Sequence, residues 1–506
     1  MSRRVTQIER KSSTRVSSMS RSREMLFVTT ICMAELCAYA GIGQVLPILR
    51  VTGATFGITN ASNLSWVVAS YSMVIGAFIL VAGRLGETLR YKRIFLTGLV
   101  WAALWSAVAG ASFYSGAILF ITSRALQGLG VSLCLPTSLA LLGATYPAGR
   151  RKSVIFTLVA VMAPTGLIAG AAGASALSLS WWPLGYWAFT LMLLVVTCFG
   201  AFAIPNSIQA GNIHMSIGVP IADLDIPGIL ASVSSLILIG FAWILAPTVG
   251  WQEPYLWIAL IAGVLLAVVF VLIEGHYAPK PLIPFAMLPL EVAVILAVVG
   301  CGWACFGIWV FYTWQIVEGL RDISPLSSTA CFSPIIIVGC FAAVATDLTL
   351  HRIGPSITMC ISLLAFTGGS LLIVTMPTTQ IYWAQLFVGI LVVGWGMNTC
   401  APAATLMLSN AVEKKYHNVT GSLVGAVMFY SIAIGLGVAG NVESRVNTGG
   451  ATIEGNLKGY RAALWTGVGL AGLGLIICLG LSLTMYGRRQ SRSSMALSNC
   501  TALCDV

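Results

Sequence analysis

The sequence predicts an all-α polytopic membrane protein: two six-helix bundles plus two inserted helices, about fourteen transmembrane helices in all. Composition is the first ground for this. Of 506 residues, 58% are hydrophobic and only 8% charged, with a mean hydropathy of +0.92. A water-soluble domain carries about 25% charged residues, so lipid must be the main solvent of this surface. The second ground is rhythm. From Met25 onward, apolar runs of about 20 residues alternate with short polar breaks, and each run can cross a bilayer as a helix. The third is an internal echo. Gly128-x-Gly130-x-x-x-Cys134-x-Pro136 returns 266 residues later as Gly394-x-Gly396-x-x-x-Cys400-x-Pro402, as two related halves would produce.

Residues 1–24 hold seven Lys/Arg and many Ser, too polar to pack, and read as a disordered cytosolic tail. The spans follow at 25–49, 63–83, 94–112, 117–143, 153–178 and 182–204, the first bundle (25–204). The linker 205–289 contains two spans, 226–247 and 254–274, with no counterpart in the repeat. The second bundle (290–486) holds 290–316, 326–346, 355–376, 380–409, 419–441 and 461–486. A polar tail, 487–506, closes the chain.

Orientation follows from the basic residues. With the N-terminus inside, the inside segments carry 21 Lys/Arg and the outside loops 5, with Arg124 inside a span. Both termini are therefore expected in the cytosol, with the cell membrane, or a vacuolar one, as the host. Asn60-Ala-Ser62 then falls in the first outside loop, where Asn60 could be glycosylated.

Few residues could carry chemistry. Arg124 lies within the run 117–143, where a charge costs about 2.5–3.5 kcal/mol on insertion and seldom stands without a partner or a pathway. Gln127, three residues on, shares its helix face. Either Arg124 faces a cavity, tuning a carboxylate or meeting solute, or its long stem carries the charge to the outer headgroups. Glu35 sits about 15 Å above the inner end of the first span and is the only acid expected deep in the membrane. A carboxyl there could exchange protons, or be a structural residue held permanently neutral or paired. Gln44 could line the same cavity.

Gly83-Arg-Leu-Gly-Glu-Thr-Leu-Arg-Tyr-Lys-Arg93 is read as a cytosolic gating loop. Gly83 and Gly86 would permit the turn, and Glu87 would pair with a basic neighbour among Arg84, Arg90, Lys92 and Arg93. Asp347 and Arg352 mark the matching loop of the second half. The plain alternative is a basic loop that only fixes topology. Pro164, Gly166 and Gly170 would make the fifth span a flexible packing seam. Trp309, Tyr312 and Gln315, with Trp395, Asn398 and Tyr430, could line a pocket for a bulky solute, or simply fill the core.

Several functions are not supported. Gly435-x-Gly437-x-x-Gly440 lies inside an apolar span with no strand before it, so it is helix packing rather than a dinucleotide loop. No phosphate-binding loop for ATP is present, the four His are scattered, and no CxxC occurs among thirteen Cys. No cofactor, metal, nucleic-acid partner or catalytic site is expected.

The stretch 83–93, Arg124-Ala-Leu-Gln-Gly-Leu-Gly130 and the Pro164 seam resemble signatures of the major facilitator superfamily, and the fourteen spans resemble its drug:proton antiporter branch. Trp181-Trp-Pro-Leu-Gly-Tyr-Trp187, Gly302-Trp-Ala-Cys-Phe-Gly-Ile-Trp309, Tyr382-Trp-Ala-Gln385, Trp395-Gly-Met397 and Pro402-Ala-Ala-Thr405 are similar to the fungal aminotriazole-resistance, boron-efflux and low-affinity ammonium transporter group, with its metabolite efflux pumps. The resemblance implies a major facilitator fold and alternating access. It also implies proton-coupled efflux of small organic compounds, by a monomer whose partners are solute, protons and bilayer. Passive movement of ammonium or borate, or a non-transporting sensor, are the alternatives. The chain departs from the pattern at Glu87 and Arg90, where the family has Asp and Gly, and at Glu35, Asn398 and Ala163.

Overall fold

The computed structural model describes residues 20–58, 60–147, 149–206, 225–278, 281–283, 288–413, 416–447 and 452–504, with Asp347, Asn418 and 485–504 as backbone only. Among these, fourteen helical stretches are long and apolar enough to cross a membrane, from Arg21–Phe56 to Ile453–Thr484, and each expected span overlaps one, although 380–409 starts before its helix, which begins at Gln385. The expected tail 1–24 lies mostly outside the described residues, but its last residues already belong to the first helix.

The first bundle contains α1 (Arg21–Gly43), α2 (Leu49–Phe56), α3 (Ala61–Leu89), α4 (Tyr91–Ala111), α5 (Ala117–Thr145), α6 (Arg150–Ser178) and α7 (Pro183–Ala203). The inserted pair is α8 (Ile226–Val249) and α9 (Pro254–His276). The second bundle contains α10 (Leu290–Gln315), α11 (Pro325–Phe332), α12 (Pro334–Arg352), α13 (Pro355–Val374), α14 (Gln385–Ala411), α15 (His417–Val446) and α16 (Ile453–Cys504).

Local chemistry sets the ends. Ser20 caps the amide of Arg23, Asp225 that of Gly228 and Ser324 that of Ser327, satisfying N–H groups that a first turn leaves free. Proline opens α7, α9, α11, α12 and α13, where it has no hydrogen bond to lose. α1 and α2 form one broken span: the helix gives way at Gly43, passes through a 3₁₀ turn at Leu46–Ile48 and resumes.

The two bundles repeat one packing plan. In the first, α5 lies on α3 and α4, α1 on α6 and α7, and α4 on α7; in the second, α14 lies on α12 and α13, α10 on α15 and α16, and α13 on α16. The glycine echo is part of this plan. A side chain at Gly130 would strike Gly98 and Ala102 of α4, and one at Gly396 would strike Ser362 and Phe366 of α13. The bundles meet along α3–α15 and along α6–α12. α8 lies over the α3–α15 contact, and α9 packs on α8.

The gating stretch 83–93 corrects the sequence reading. Gly83, Arg84, Gly86 and Glu87 belong to α3, which runs on to Leu89. The reversal occurs at Arg90, whose φ of 81° is a left-handed value. Gly86 serves packing instead: a Cβ there would collide with the ring of Tyr91 folded back over it. The matching turn of the second half is Gly354, with φ 89°.

The seam in the fifth span also divides. Gly166 and Gly170 press on the backbone of α1 at Leu36 and Ala40, within the first bundle. Pro164 packs on Gly339 of α12, across the bundle boundary.

Candidate functional site: a cavity ending at Glu35

A cavity of about 1050 Å³ lies between the bundles. Its mouth is at the face carrying the basic turns, where it is lined by Arg84, Glu87, Lys152, Tyr416 and His417. Its deep end is at Glu35, Tyr39 and Phe429, the two rings 5.8 Å apart. α1, α3 and α5 supply one wall, and α14 and α15 supply Ala401, Thr405, Ser409, Thr420 and Ser422 opposite. The lining is thus mixed: hydroxyls and aromatics around a single deep carboxyl.

Glu35 is half-buried, and its Oε2 has no hydrogen-bond partner among the described residues. Among the described residues, no ion pair or hydrogen bond joins it to Arg124. α1 itself connects them, because Arg124 binds α1 six residues further on, about 9 Å along the axis.

Arg124 is completely buried and does not line the cavity. Nor does it reach for headgroups. It donates to the carbonyl oxygen of Gly41 and to Oε1 of Gln127, and its guanidinium lies 4.5 Å above the ring of Tyr71. Tyr71 in turn donates to the carbonyl of Ala38 at 2.7 Å. A side chain at Gly41 would displace Tyr71, so only glycine admits this arrangement. Cation–π and charge-assisted contacts of this kind gain strength away from water. Gln44, at the end of α1, is buried, with its Nε2 unpaired.

The opposite face is shut by contacts between the halves. Arg50 donates to the carbonyl of Glu318 at 2.7 Å. Ser175 of α6 meets the carbonyl of Pro325 at 3.0 Å and the hydroxyl of Thr329 at 2.9 Å. At the basic face Glu87 pairs with Arg84 of its own helix at 3.2 Å, while Lys92 donates to the carbonyls of Ala201 and Ile204 at the end of α7. Arg93 begins α4 beside them, and Arg352 is exposed in the last turn of α12, which also carries Asp347.

The aromatic set lies elsewhere than the pocket foreseen for it. None of Trp309, Tyr312, Gln315, Trp395, Asn398 and Tyr430 lines the cavity. Tyr312 donates to Glu443 at 3.1 Å, Asn398 to the carbonyl of Gly394 in its own helix at 2.8 Å, and Tyr430 to the carbonyl of Leu236 on α8 at 2.9 Å. Trp309 packs on Phe306 and Phe332 within the second bundle.

Glu35 is not the only buried acid. Glu274, Glu318 and Glu443 are each 4–5% exposed. Glu318 accepts from Trp314 at 2.9 Å and from Ser328, on a π-helical turn (Ile316–Leu320) that prolongs α10. Glu318 and Glu443 stand just beyond where hydropathy alone ends a span, and Glu274 is the last residue of one. The i,i+4 pair Trp314–Glu318 was the one signal that could have found Glu318. Asn60 is exposed at the start of α3.

Two repeated bundles, closed on one face and enclosing a mixed-polarity cavity open on the other, define a polytopic membrane transporter. The comparisons make this specific. The Major Facilitator Superfamily profile matches residues 31–211. The low affinity ammonium transporter of Saccharomyces cerevisiae is 44% identical over 472 residues, covering 93% of this chain and 91% of that one. Efflux pump terJ of Aspergillus terreus is 40% identical over 482 residues, covering 95% and 92%. The crystal structure of the peptide transporter POT in complex with sulfate superimposes with a TM-score of 0.64 at 15% identity, over 91% of this chain and 94% of that one; at that identity the likeness is one of fold. The chain belongs to the major facilitator superfamily and is a multi-pass membrane transporter.

Proposed function

We propose that this transporter exports small organic compounds in exchange for protons by alternating access, with the basic face and both termini in the cytosol of a cell-membrane protein working as a monomer. The halves 25–204 and 290–486 rock about the cavity, and the inserted spans join them. Glu35 carries the reading: it is the deepest carboxyl of the cavity, within reach of water from the mouth, and among the described residues no cation pairs with it. Solute and proton would occupy its surroundings in turn. Arg124 and Gln127 fix the height and rotation of α1, so that Glu35 stays at the floor of the cavity. The Arg84–Glu87 pair lines the mouth of the cavity, where a latch between the halves would act. Trp309, Tyr312, Gln315, Trp395, Asn398 and Tyr430 are available to a pocket on the other face once that side opens.

The test is Glu35→Gln in reconstituted vesicles, with export measured with and without a pH gradient. The gradient should cease to stimulate export while basal exchange persists. Unchanged stimulation would remove Glu35 from the mechanism. A second reading, movement of a small cation such as ammonium without obligatory proton exchange, is favoured by the name of the 44%-identical relative. It requires methylammonium flux in the wild type that is indifferent to the gradient.

A further inference from the structure

Glu274 is a buried carboxyl near the end of the second inserted helix, and the cavity mechanism makes no use of it. A carboxyl there is costly unless it has work to do. Its two oxygens accept from the main-chain amides of Leu282 at 2.8 Å and Ile283 at 3.4 Å. The chain beyond α9 is therefore folded back toward α3. Leu282 buries its side chain against Val81 of α3 and Val233 of α8. From there Pro281 and Leu282 face the cavity and form part of its lining.

The inserted pair has a firm footing on the second bundle. Along α8, the carbonyls of Leu236 and Trp243 accept from Tyr430 and Asn441 of α15, at 2.9 and 3.3 Å. Beyond the helix end, Trp251 donates to Asn441 at 2.8 Å. Against α3, Met73 fills the space at Gly240 and Thr248 donates to Asn63 at 2.8 Å.

We propose that the segment just beyond the inserted helices, Pro281 and Leu282, forms part of the wall of the solute cavity, with Leu282 setting which solutes fit and Glu274 acting as the positioning residue that holds it. The inference rests on the cavity being the solute path. A branched side chain in such a wall discriminates by volume, and a carboxylate gripping two amides fixes where that volume stands.

Transport of two probes by the full chain in proteoliposomes, ethidium for bulk and methylammonium for smallness, tests it. Leu282→Trp should cut ethidium flux about tenfold and leave methylammonium within about twofold. Glu274→Leu should shift the KM for ethidium with turnover largely kept. Glu274→Gln, which retains one acceptor oxygen, should restore most of the wild-type KM. Equal loss of both probes in Leu282→Trp, or no change in either, overturns the proposal. If the wild type moves neither probe, both lie outside its solute range, and the wall is judged by access. A sulfonated maleimide should modify Leu282→Cys, more slowly than the cavity-lining Ser422→Cys because position 282 is the more buried. Silence at 282 while 422 reacts overturns the proposal.

Discussion

Positions 124 and 390 occupy equivalent places in the two bundles, and both are completely buried, yet one is arginine and the other isoleucine. Around Arg124 the first bundle has rearranged to receive a charge. Gly41 exposes a carbonyl, Gln127 turns an oxygen inward and Tyr71 offers its ring. The second bundle has an isoleucine at this place and carries the acids Glu318 and Glu443 toward the closed face. A shared backbone plan thus supports two electrostatic designs. The difference lies in local provision for the charge rather than in the path of the chain.

Exchanging the two side chains tests this most severely. Ile390→Arg puts an unpartnered cation where nothing receives it. Several kcal/mol are lost, and the folded peak should vanish from size-exclusion chromatography in detergent. Arg124→Ile should be milder, about 1–3 kcal/mol for the carbonyl and amide left unpaired, with a folded peak retained and export lost. Equal outcomes would mean that the halves do not differ as described.

The glycine pair is a finer comparison. A Cβ at Gly130 would stand 2.5 Å from the amide nitrogen of Ala102 and 2.6 Å from the carbonyl of Gly98, both rigid backbone. At Gly396 it would meet the carbonyl of Ser362 at 2.9 Å and the edge of Phe366 at 3.2 Å, which can yield. Gly130→Ala should cost about 1–3 kcal/mol and lower the melting temperature more than Gly396→Ala. The smallest effect is expected at the turns. Arg90 holds a backbone angle that its counterpart Gly354 adopts freely, so Arg90→Gly should stabilise the chain by about 1 kcal/mol and Gly354→Ala should do the reverse. A lower melting temperature for Arg90→Gly would show that the arginine side chain repays its strain.

The fourteen crossings were legible because a bilayer demands a long apolar run, which needs no tertiary context to recognise. The pairing of Arg124 with Gln127 was legible for a similar reason, since three residues on a helix fix a shared face. The turn was misplaced because Gly83 and Gly86 have the residue type of a turn, while Arg90, where the chain reverses, does not. Glu318 and Glu443 escaped because hydropathy ends a span before them, although the helix continues and neighbouring elements bury them. Tyr312 and Tyr430 show a further limit. Aromatic character reveals that a side chain packs, but whether on solute, Glu443 or α8 depends on partners more than a hundred residues away.

The placement of α8 has a consequence for anything dissolved in the surrounding lipid. It covers the line where α3 meets α15, and α9 thickens the fence; among the described residues no helix does the same where α6 meets α12. Among the described residues, the seam between the bundles is therefore covered by helices on one flank and bare on the other. A greasy compound drifting in the bilayer thus meets two different flanks: the inserted pair on one side and, on the other, the bare seam in which Pro164 packs on Gly339.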